Sequence, residues 1–449
     1  MPVPLSEIAA GVVRELQCAE FKAFWVGGCV RDMLLGREPD DYDIVTSALP
    51  AQIESLFERT IPVGRQFGVI IVPREGHQFQ VATFRAEGDY QDGRRPGHVT
   101  FGDAPADALR RDFTVNGLFY DPIAGQLHDW VGGESDLRAR VVRTIGSAQE
   151  RFAEDHLRLL RAVRFAARLG FEIEADTFTA LRANASKIAA ISAERIRDEL
   201  IKLFAPPEPG NPVAAPAARG LELLRESGLL EIILPELAAT VTCEQSPDYH
   251  PEGTVFNHLV LMLKKMPEGA DPLLPWAALM HDVAKPVTAS RDERTGAIHF
   301  YEHEKIGADM AAAILTRLRF PRKQIEAVMA AVRHHMQFKD APQMRKSTLR
   351  RLLLRPTFPL ELQLHRLDCL GSHGRLDVHD FLVEQARELD QQPAIRPPLL
   401  TGDDLKAMGM KSGPEMGRLL AEIREKQLQD ELKTPTEARA WVRAQIEKP

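Results

Sequence analysis

The chain has 449 residues, 44% of them apolar and 27% charged, and a formal net charge of −7. That length predicts two to four folding units rather than one core, and the composition excludes wholesale disorder. The acidic total excludes a protein that coats nucleic acid non-specifically but leaves room for a local basic track, because phosphates feel the local field. Cys18, Cys29, Cys243 and Cys369 are scattered with no close pairs. This fits a reducing compartment and gives neither a disulfide framework nor a thiolate zinc site. The first ten residues lack a signal peptide's charged start and apolar run, and no stretch approaches the ~20 apolar residues of a membrane span. The expectation is a soluble, cytoplasmic protein without a membrane partner.

In chain order, residues 6–18 read as a helix with Ile8, Val12, Val13 and Leu16 on one side. Phe24-Trp25-Val26 reads as a strand feeding a tight turn at Gly27-Gly28, and a helix resumes over Val30–Leu35. Asp43–Thr46, Val69–Val72 and Phe79–Thr83 read as strands, the last two joined by the turn Arg74-Glu75-Gly76. From Ala148 onward almost every segment has helical periodicity, with Pro-rich breaks at 205–210 and 393–398.

The sharpest local pattern is Gly27-Gly28-Cys29-Val30-Arg31-Asp32, followed by Asp40-Asp41-Tyr42-Asp43. Glycines between a strand and a helix let backbone N–H groups approach phosphate. Asp41 and Asp43, two apart at a strand start, share one face. Two such carboxylates can hold a pair of Mg²⁺ ions about 4 Å apart.

These residues resemble the class II tRNA nucleotidyltransferase and bacterial poly(A) polymerase family, within the polymerase-β-like nucleotidyltransferases. Thr83-Phe84-Arg85 leads to Tyr90–Pro96, which resembles the family's flexible loop region. Arg110-Arg111-Asp112-Phe113-Thr114-Val115-Asn116-Gly117 resembles its arginine-rich segment. The resemblance implies catalysis by Asp41 and Asp43 with Mg²⁺, and nucleotide contacts from Gly27, Gly28, Arg31, Asp32, Arg111, Asp112 and Asn116. Arginine suits that work because its charged planar fork matches phosphate oxygens. Many relatives carry an acidic residue on the strand before Thr-Phe-Arg, whereas this chain has Gln80 there. Asp41 and Asp43 would then hold the metals without a third carboxylate.

Glu154-Asp155-His156-Leu157-Arg158 reads as the opening of a helix running to Leu169, with Asp155 and Arg158 three apart on one face. The resemblance makes them the pair that reads the incoming base, so that protein rather than a template selects CTP or ATP. Arg158, Arg161, Arg164 and Arg168 form a basic stripe, and residues 137–170 carry eight arginines against three acids. That is the local track the acidic total allows, with Arg161 and Arg164 as further nucleotide contacts. Ala193–Leu200 resembles another family segment, whose Glu–Arg pairing braces the neck.

The later half contains His258, His281-Asp282, His303, His334-His335 and Asp368. Imidazole and carboxylate on separate helices are the pattern of HD-domain phosphohydrolases and suit Mn²⁺, Ni²⁺ or Co²⁺. The expected ligands are His258, His281, Asp282, His303, His334 and Asp368. Between His334 and His335 the sequence leaves the choice open, because adjacent helical residues point about 100° apart.

The expected fold is α+β: a polymerase-β-like nucleotidyltransferase head (1–146), an all-α neck (147–210), an HD-domain body (211–392) and a helical tail (393–449). The expected activity is addition of CCA from CTP and ATP to the 3′ end of tRNA, with a possible metal-dependent phosphohydrolase activity in the HD body. The alternatives are a poly(A) polymerase, an A-adding specialist, and an HD phosphohydrolase whose head only binds RNA.

Overall fold

The computed structural model describes residues 3–86, 90–91, 95–96, 100–210, 212–246, 250–391 and 397–446. Residues 92–94 of the Tyr90–Pro96 loop and 393–396 of the 393–398 break therefore lie outside the described residues. The chain divides into two compact units, Met1–Ala205 with Gly210–Ala238, and Pro206–Pro209 with Ala239–Pro449.

The first unit is built on a seven-stranded sheet. Its strands are β1 (Ala23–Val26), β2 (Ile44–Thr46), β3 (Ile61–Gly64), β4 (Val69–Arg74), β5 (His77–Thr83), β6 (Leu118–Asp121) and β7 (Gln126–Asp129), in the order β7-β6-β1-β2-β5-β4-β3. All of β1 is buried, as its unbroken apolar run demands of an interior strand. The pair β2–β5 is parallel and the other neighbours are antiparallel. Helix α1 (Leu5–Cys18) buries the predicted Ile8, Val12, Val13 and Leu16. Helix α2 (Gly28–Leu34) leaves β1 directly, and α3 (Ala104–Leu109) precedes the arginine-rich segment.

The neck helices are α4 (Ala148–Glu154), α5 (Leu157–Leu169), α6 (Ala175–Asn184) and α7 (Ala193–Phe204), and α8 (Pro216–Glu226), beyond the expected neck, belongs to the same compact unit. Helix α5 packs against α7 and α8 and buries Leu159, Leu160, Val163 and Ala166 completely. Each large aliphatic side chain among them contributes roughly 1.5–3 kcal/mol. Helices α7 and α8 approach closely at Gly220, where an added Cβ would lie 2.6 Å from Leu203 Cδ1. The expected single helix from Glu154 to Leu169 is a correction: the chain breaks at Asp155, which is extended at φ −141°, ψ 104°. The neck is also not purely helical, because Glu172–Ile173 pairs in parallel with Val141–Val142.

The second unit contains α9 (Val255–Lys264), α10 (Leu274–Met280), α11 (His303–Arg317), α12 (Arg322–His334), α13 (Lys346–Leu353), α14 (Phe358–Gly371) and α15 (Asp377–Asp390). A short hairpin, β8 (Ala289–Arg291) with β9 (Ile298–Phe300), interrupts them. Helix α10 is apolar on all sides and fully buried, with α9, α12 and α14 packed around it. Among the described residues the tail forms α16 (Gly402–Ala407), α17 (Pro414–Leu428) and α18 (Pro435–Ile446). They enclose their own core of Leu405, Met416, Leu419, Ile423 and Val442.

Candidate nucleotide cleft and metal cluster

The head site begins where β1 ends. Gly27 caps α2 at φ +77°, ψ −124°, a conformation that favours glycine. A Cβ on Gly27 would come within 3.3 Å of Arg111 Nη1. Arg31, one turn into α2, is buried. Its Nε and Nη2 each donate to Asp32 at 2.9 Å, and its Nη1 donates to Asn116 Oδ1 at 2.7 Å.

Asp41 and Asp43 precede β2, exposed on either side of the buried Tyr42, whose ring packs on Trp25 at 4.5 Å. Backbone alternation thus sends the tyrosine into the core and both carboxylates outward. The surrounding walls, and then the charge of Asp41, raise the Asp43 carboxyl above its ordinary value against the opposing pull of Arg111. Two adjacent outward carboxylates fit a divalent cation. Because Ile44 pairs in parallel with Val81, Gln80 stands one step back, level with Asp43 and likewise exposed. The amide therefore occupies the register position from which a third carboxylate would reach the pair.

A continuous polar chain leads from this turn into the neck. Asn116 Nδ2 donates to Asp112 Oδ1 at 3.1 Å. Asp112 Oδ2 lies 2.6 Å from Arg161 Nη2, and Glu199 receives Arg161 Nη1 at 3.4 Å and Arg164 Nε at 2.5 Å. The ring of Phe165 sits among three of these cations, with Arg31, Arg161 and Arg164 at 5.5, 5.2 and 4.1 Å from its centroid. Arg110 and Arg111 are both clamped by the fully buried Asp107. The basic stripe of α5 is thus largely neutralised within the fold rather than left as a free cationic face.

Asp155 and Arg158 do not form the expected i,i+3 helical pair. From the break between α4 and α5, Asp155 Oδ1 accepts from Leu157 N–H at 3.0 Å and its Oδ2 from Arg195 Nη2 at 2.8 Å. Arg158 is buried, pairs with Glu154, and donates to the carbonyls of Arg151 at 3.0 Å and Arg110 at 3.3 Å. Both nevertheless line one cleft of about 240 Å³, together with Arg110, Arg111, Asp112 and Arg161.

The second unit gathers a separate cluster. His258 Nε2 lies 3.2 Å from Asp368 Oδ1, His281 Nε2 lies 3.1 Å from Asp282 Oδ2, and His303 Nε2 lies 3.5 Å from Asp282 Oδ1. His335, and not the expected His334, completes it, with Nε2 at 3.2 Å from that of His303 and 4.0 Å from Asp282 Oδ1. His334 turns away to Glu361, 3.2 Å from its Nδ1. One step along the helix end swings the side chain to another side.

The cluster fits a cation. Nε2 of His258 and Oδ2 of Asp282 are buried and lack a well-aligned hydrogen-bond partner, although Asp368 Oδ1 stands 3.2 Å from the first and Lys285 Nζ 2.7 Å from the second. Burial opposes a charge on His258, but its bonds to Asp368 and then Glu252 outweigh that and lift it to about 9. The cluster stabilises positive charge, whereas His335, deep among other histidines, is pushed down to about 3, chiefly by burial. Among the described residues three ligand groups emerge: His258–His281–Asp282 with Asp368 beside it, Asp282–His303–His335, and His250–Glu252–His258 on the far side of His258. A cavity of about 730 Å³ opens on them, lined also by Lys285, Tyr301 and Lys339.

Family models match three stretches: the poly A polymerase head domain at residues 23–143, a probable RNA- and SrmB-binding site of polymerase A at 170–240, and the HD domain at 249–370. The CCA-adding enzyme of Geobacillus thermodenitrificans (strain NG80-2) is 45% identical over 236 residues, 52% of this chain and 56% of that protein. The CCA-adding enzyme of Staphylococcus aureus (strain MRSA252) is 46% identical over 205 residues, 45% of this chain and 51% of its own length. The chain thus matches about half the length of these curated relatives. The crystal structure of the Bacillus stearothermophilus CCA-adding enzyme in complex with CTP superposes with a TM-score of 0.72 at 28% identity, covering 99% of this chain and 98% of that one.

The chain thus combines a poly A polymerase head domain, a polymerase A RNA-binding region and an HD domain, and it is similar to CCA-adding enzymes.

Within that family frame, several residues that shape the sites escaped the sequence reading. Asp107 and Phe165 carried no local signal beyond lying among arginines. Glu199 was legible only as part of a bracing segment, and it receives both Arg161 and Arg164. Lys285, three residues after Asp282, bonds that carboxylate at 2.7 Å and Gln245 Oε1 at 2.6 Å. An i,i+3 lysine beside a predicted ligand could have been found from spacing alone.

Proposed function

We propose that this chain adds C, C and A to the 3′ end of tRNA from CTP and ATP, without a nucleic-acid template and with release of pyrophosphate. The observation that carries this reading is the cleft in which Asp155 and Arg158 meet Arg111, Asp112 and Arg161, in the same unit as Asp41, Asp43 and the Gly27 turn. The likeness to CCA-adding enzymes, including one described in complex with CTP, supports it.

In this reading the 3′ hydroxyl attacks the α-phosphate and pyrophosphate leaves. Mg²⁺ held by Asp41 and Asp43 would activate the hydroxyl and support the leaving group. Gly27, Gly28, Arg31 and Asp32 shape the triphosphate cradle at the start of α2, with Arg111, Asp112 and Asn116 behind it. Asp155 accepts from the exocyclic amine that cytosine and adenine share, while Arg158 donates to a ring acceptor. Guanine and uracil present a carbonyl where the amine is needed. Arg161 and Arg164 are further nucleotide contacts, Arg161 joined to Asp112 of the head and Arg164 to Glu199 of α7. The working division is head 1–146, neck 147–210, HD body 211–392 and tail 393–449, in a cytoplasmic protein.

For the HD cluster we propose metal-dependent phosphoester hydrolysis with Mn²⁺, Ni²⁺ or Co²⁺, held by His258, His281, Asp282, His303, His335 and Asp368. The histidine-rich donor set suits those ions better than Mg²⁺.

The deciding experiment supplies purified protein and Mg²⁺ with tRNA transcripts ending before CCA, after C and after CC, and with CTP, ATP or both. Completion to CCA and arrest there on all three is expected. Long A tails on any RNA would replace this reading with a poly(A) polymerase, and A addition to the CC-ended transcript alone with an A-adding specialist. Asp41→Ala should abolish addition while RNA binding persists; retained turnover would remove Asp41 from the metal site.

A further inference from the structure

Each histidine of the HD cluster presents Nε2 to the shared carboxylates, and each has its Nδ1 tied down. Nδ1 of His281 lies 2.8 Å from the Ala278 carbonyl, that of His303 2.9 Å from the Phe300 carbonyl, and that of His335 2.6 Å from the Val332 carbonyl. A carbonyl oxygen only accepts, so each of these three rings carries a proton on Nδ1, which leaves Nε2 as the atom available to a cation.

His258 is held differently. Its Nδ1 meets Oε1 of Glu252 at 2.8 Å, and the same oxygen receives Nδ1 of His250 at 2.9 Å. The Glu252 side chain is only 9% exposed, and Asn257 Nδ2 ties its carbonyl to the start of α9 at 3.0 Å. Glu252 thus stands behind His258 on the side away from Asp368, fixed by its own loop and steadied by His250. A carboxylate accepting the Nδ1 proton fixes the ring's orientation and makes Nε2 a stronger donor than a backbone carbonyl does.

We propose that Glu252 is the positioning residue of the HD centre, acting through His258. Loss of its charge weakens the cation site of His258, His281, Asp282 and Asp368 and spares that of Asp282, His303 and His335. The proposal rests on reading the cluster as a metal centre. Its asymmetry is the testable feature: the other three rings lean on backbone carbonyls that no substitution removes.

The test titrates the full chain with Mn²⁺ alone, by calorimetry and electron paramagnetic resonance, in the parent and in Glu252→Gln, Glu252→Ala and His335→Ala. The parent is expected to bind two ions. Glu252→Gln should weaken one of them by about tenfold and Glu252→Ala by up to about a hundredfold. His335→Ala should instead affect the other ion. In the glutamine variant, imidazole ¹⁵N shifts should show His258 losing its fixed Nδ1–H tautomer, with thermal stability and nucleotide addition unchanged. Unaltered affinities with an unaltered His258 tautomer would overturn the role of Glu252 alone. Equal weakening of both ions would reduce Glu252 to a structural residue. A parent that binds no Mn²⁺ would overturn the metal reading and this proposal with it.

Discussion

Arg161 Nη2 lies 2.6 Å from Asp112 Oδ2, joining the neck helix α5 to the arginine-rich segment of the head. Asp112 also takes Asn116, which in turn takes Arg31 beside the Gly27 turn. The ion pair therefore couples the proposed triphosphate cradle to the helix that carries Arg158.

Burial alone would raise the Asp112 carboxyl, but Arg161, helped by Asn116 and the Phe113 N–H, holds it down to about 2. Because the folded value lies below the unfolded one, this contribution is complete above about pH 4 and is lost as pH falls toward 2. It corresponds to about 2 kcal/mol. Asp112→Asn should destabilise the protein by that order at neutral pH. In urea unfolding, the gap from the parent should narrow between about pH 4 and about pH 2; a gap independent of pH would show that the ion pair does not contribute.

Gly27→Ala puts a Cβ at φ +77° and 3.3 Å from Arg111 Nη1. The variant should fold with a loss of about 1–2 kcal/mol. Displacing Arg111 should raise KM for CTP and ATP together by roughly tenfold, about 1.4 kcal/mol of binding. An unchanged KM would separate this turn from the triphosphate.

His335→Ala and His334→Ala are neighbours with opposite expectations. The first removes a group 3.2 Å from His303 Nε2 and should cost one bound Mn²⁺. The second removes a contact to Glu361 and should leave both ions in place. Equal loss of metal in the two variants would contradict the assignment of His335.

Gln80→Glu would restore a carboxylate level with Asp43. An added negative charge should lower the Mg²⁺ concentration needed for half-maximal addition by about threefold or more. A higher requirement would mean that Gln80 faces away from the proposed ions.

The parts legible in the sequence were those with a local cause. Apolar periodicity located α1, the run Phe24–Val26 located β1, and Asp41-Tyr42-Asp43 announced two outward carboxylates around a buried ring. The HD residues were legible as a set because histidine and aspartate are the side chains that such chemistry needs. Less visible was anything that depends on a partner distant in the chain. Asp107 looks like an ordinary acid until Arg110 and Arg111 fold onto it. Asp155 and Arg158 read as neighbours on one helix face until the break at Asp155 gave them separate partners, Arg195 and Glu154.

The sequence by itself determined the order of the elements, the acidic pair before β2, the glycine turn and the chemical types in the later cluster, because backbone conformation and side-chain chemistry are properties of neighbouring residues. Tertiary structure decided which arginines are neutralised, which of two adjacent histidines enters the cluster, and that Glu252 rather than a carbonyl orients His258. Those outcomes depend on helix rotation and on distances between segments far apart in the chain, which a one-dimensional pattern does not specify.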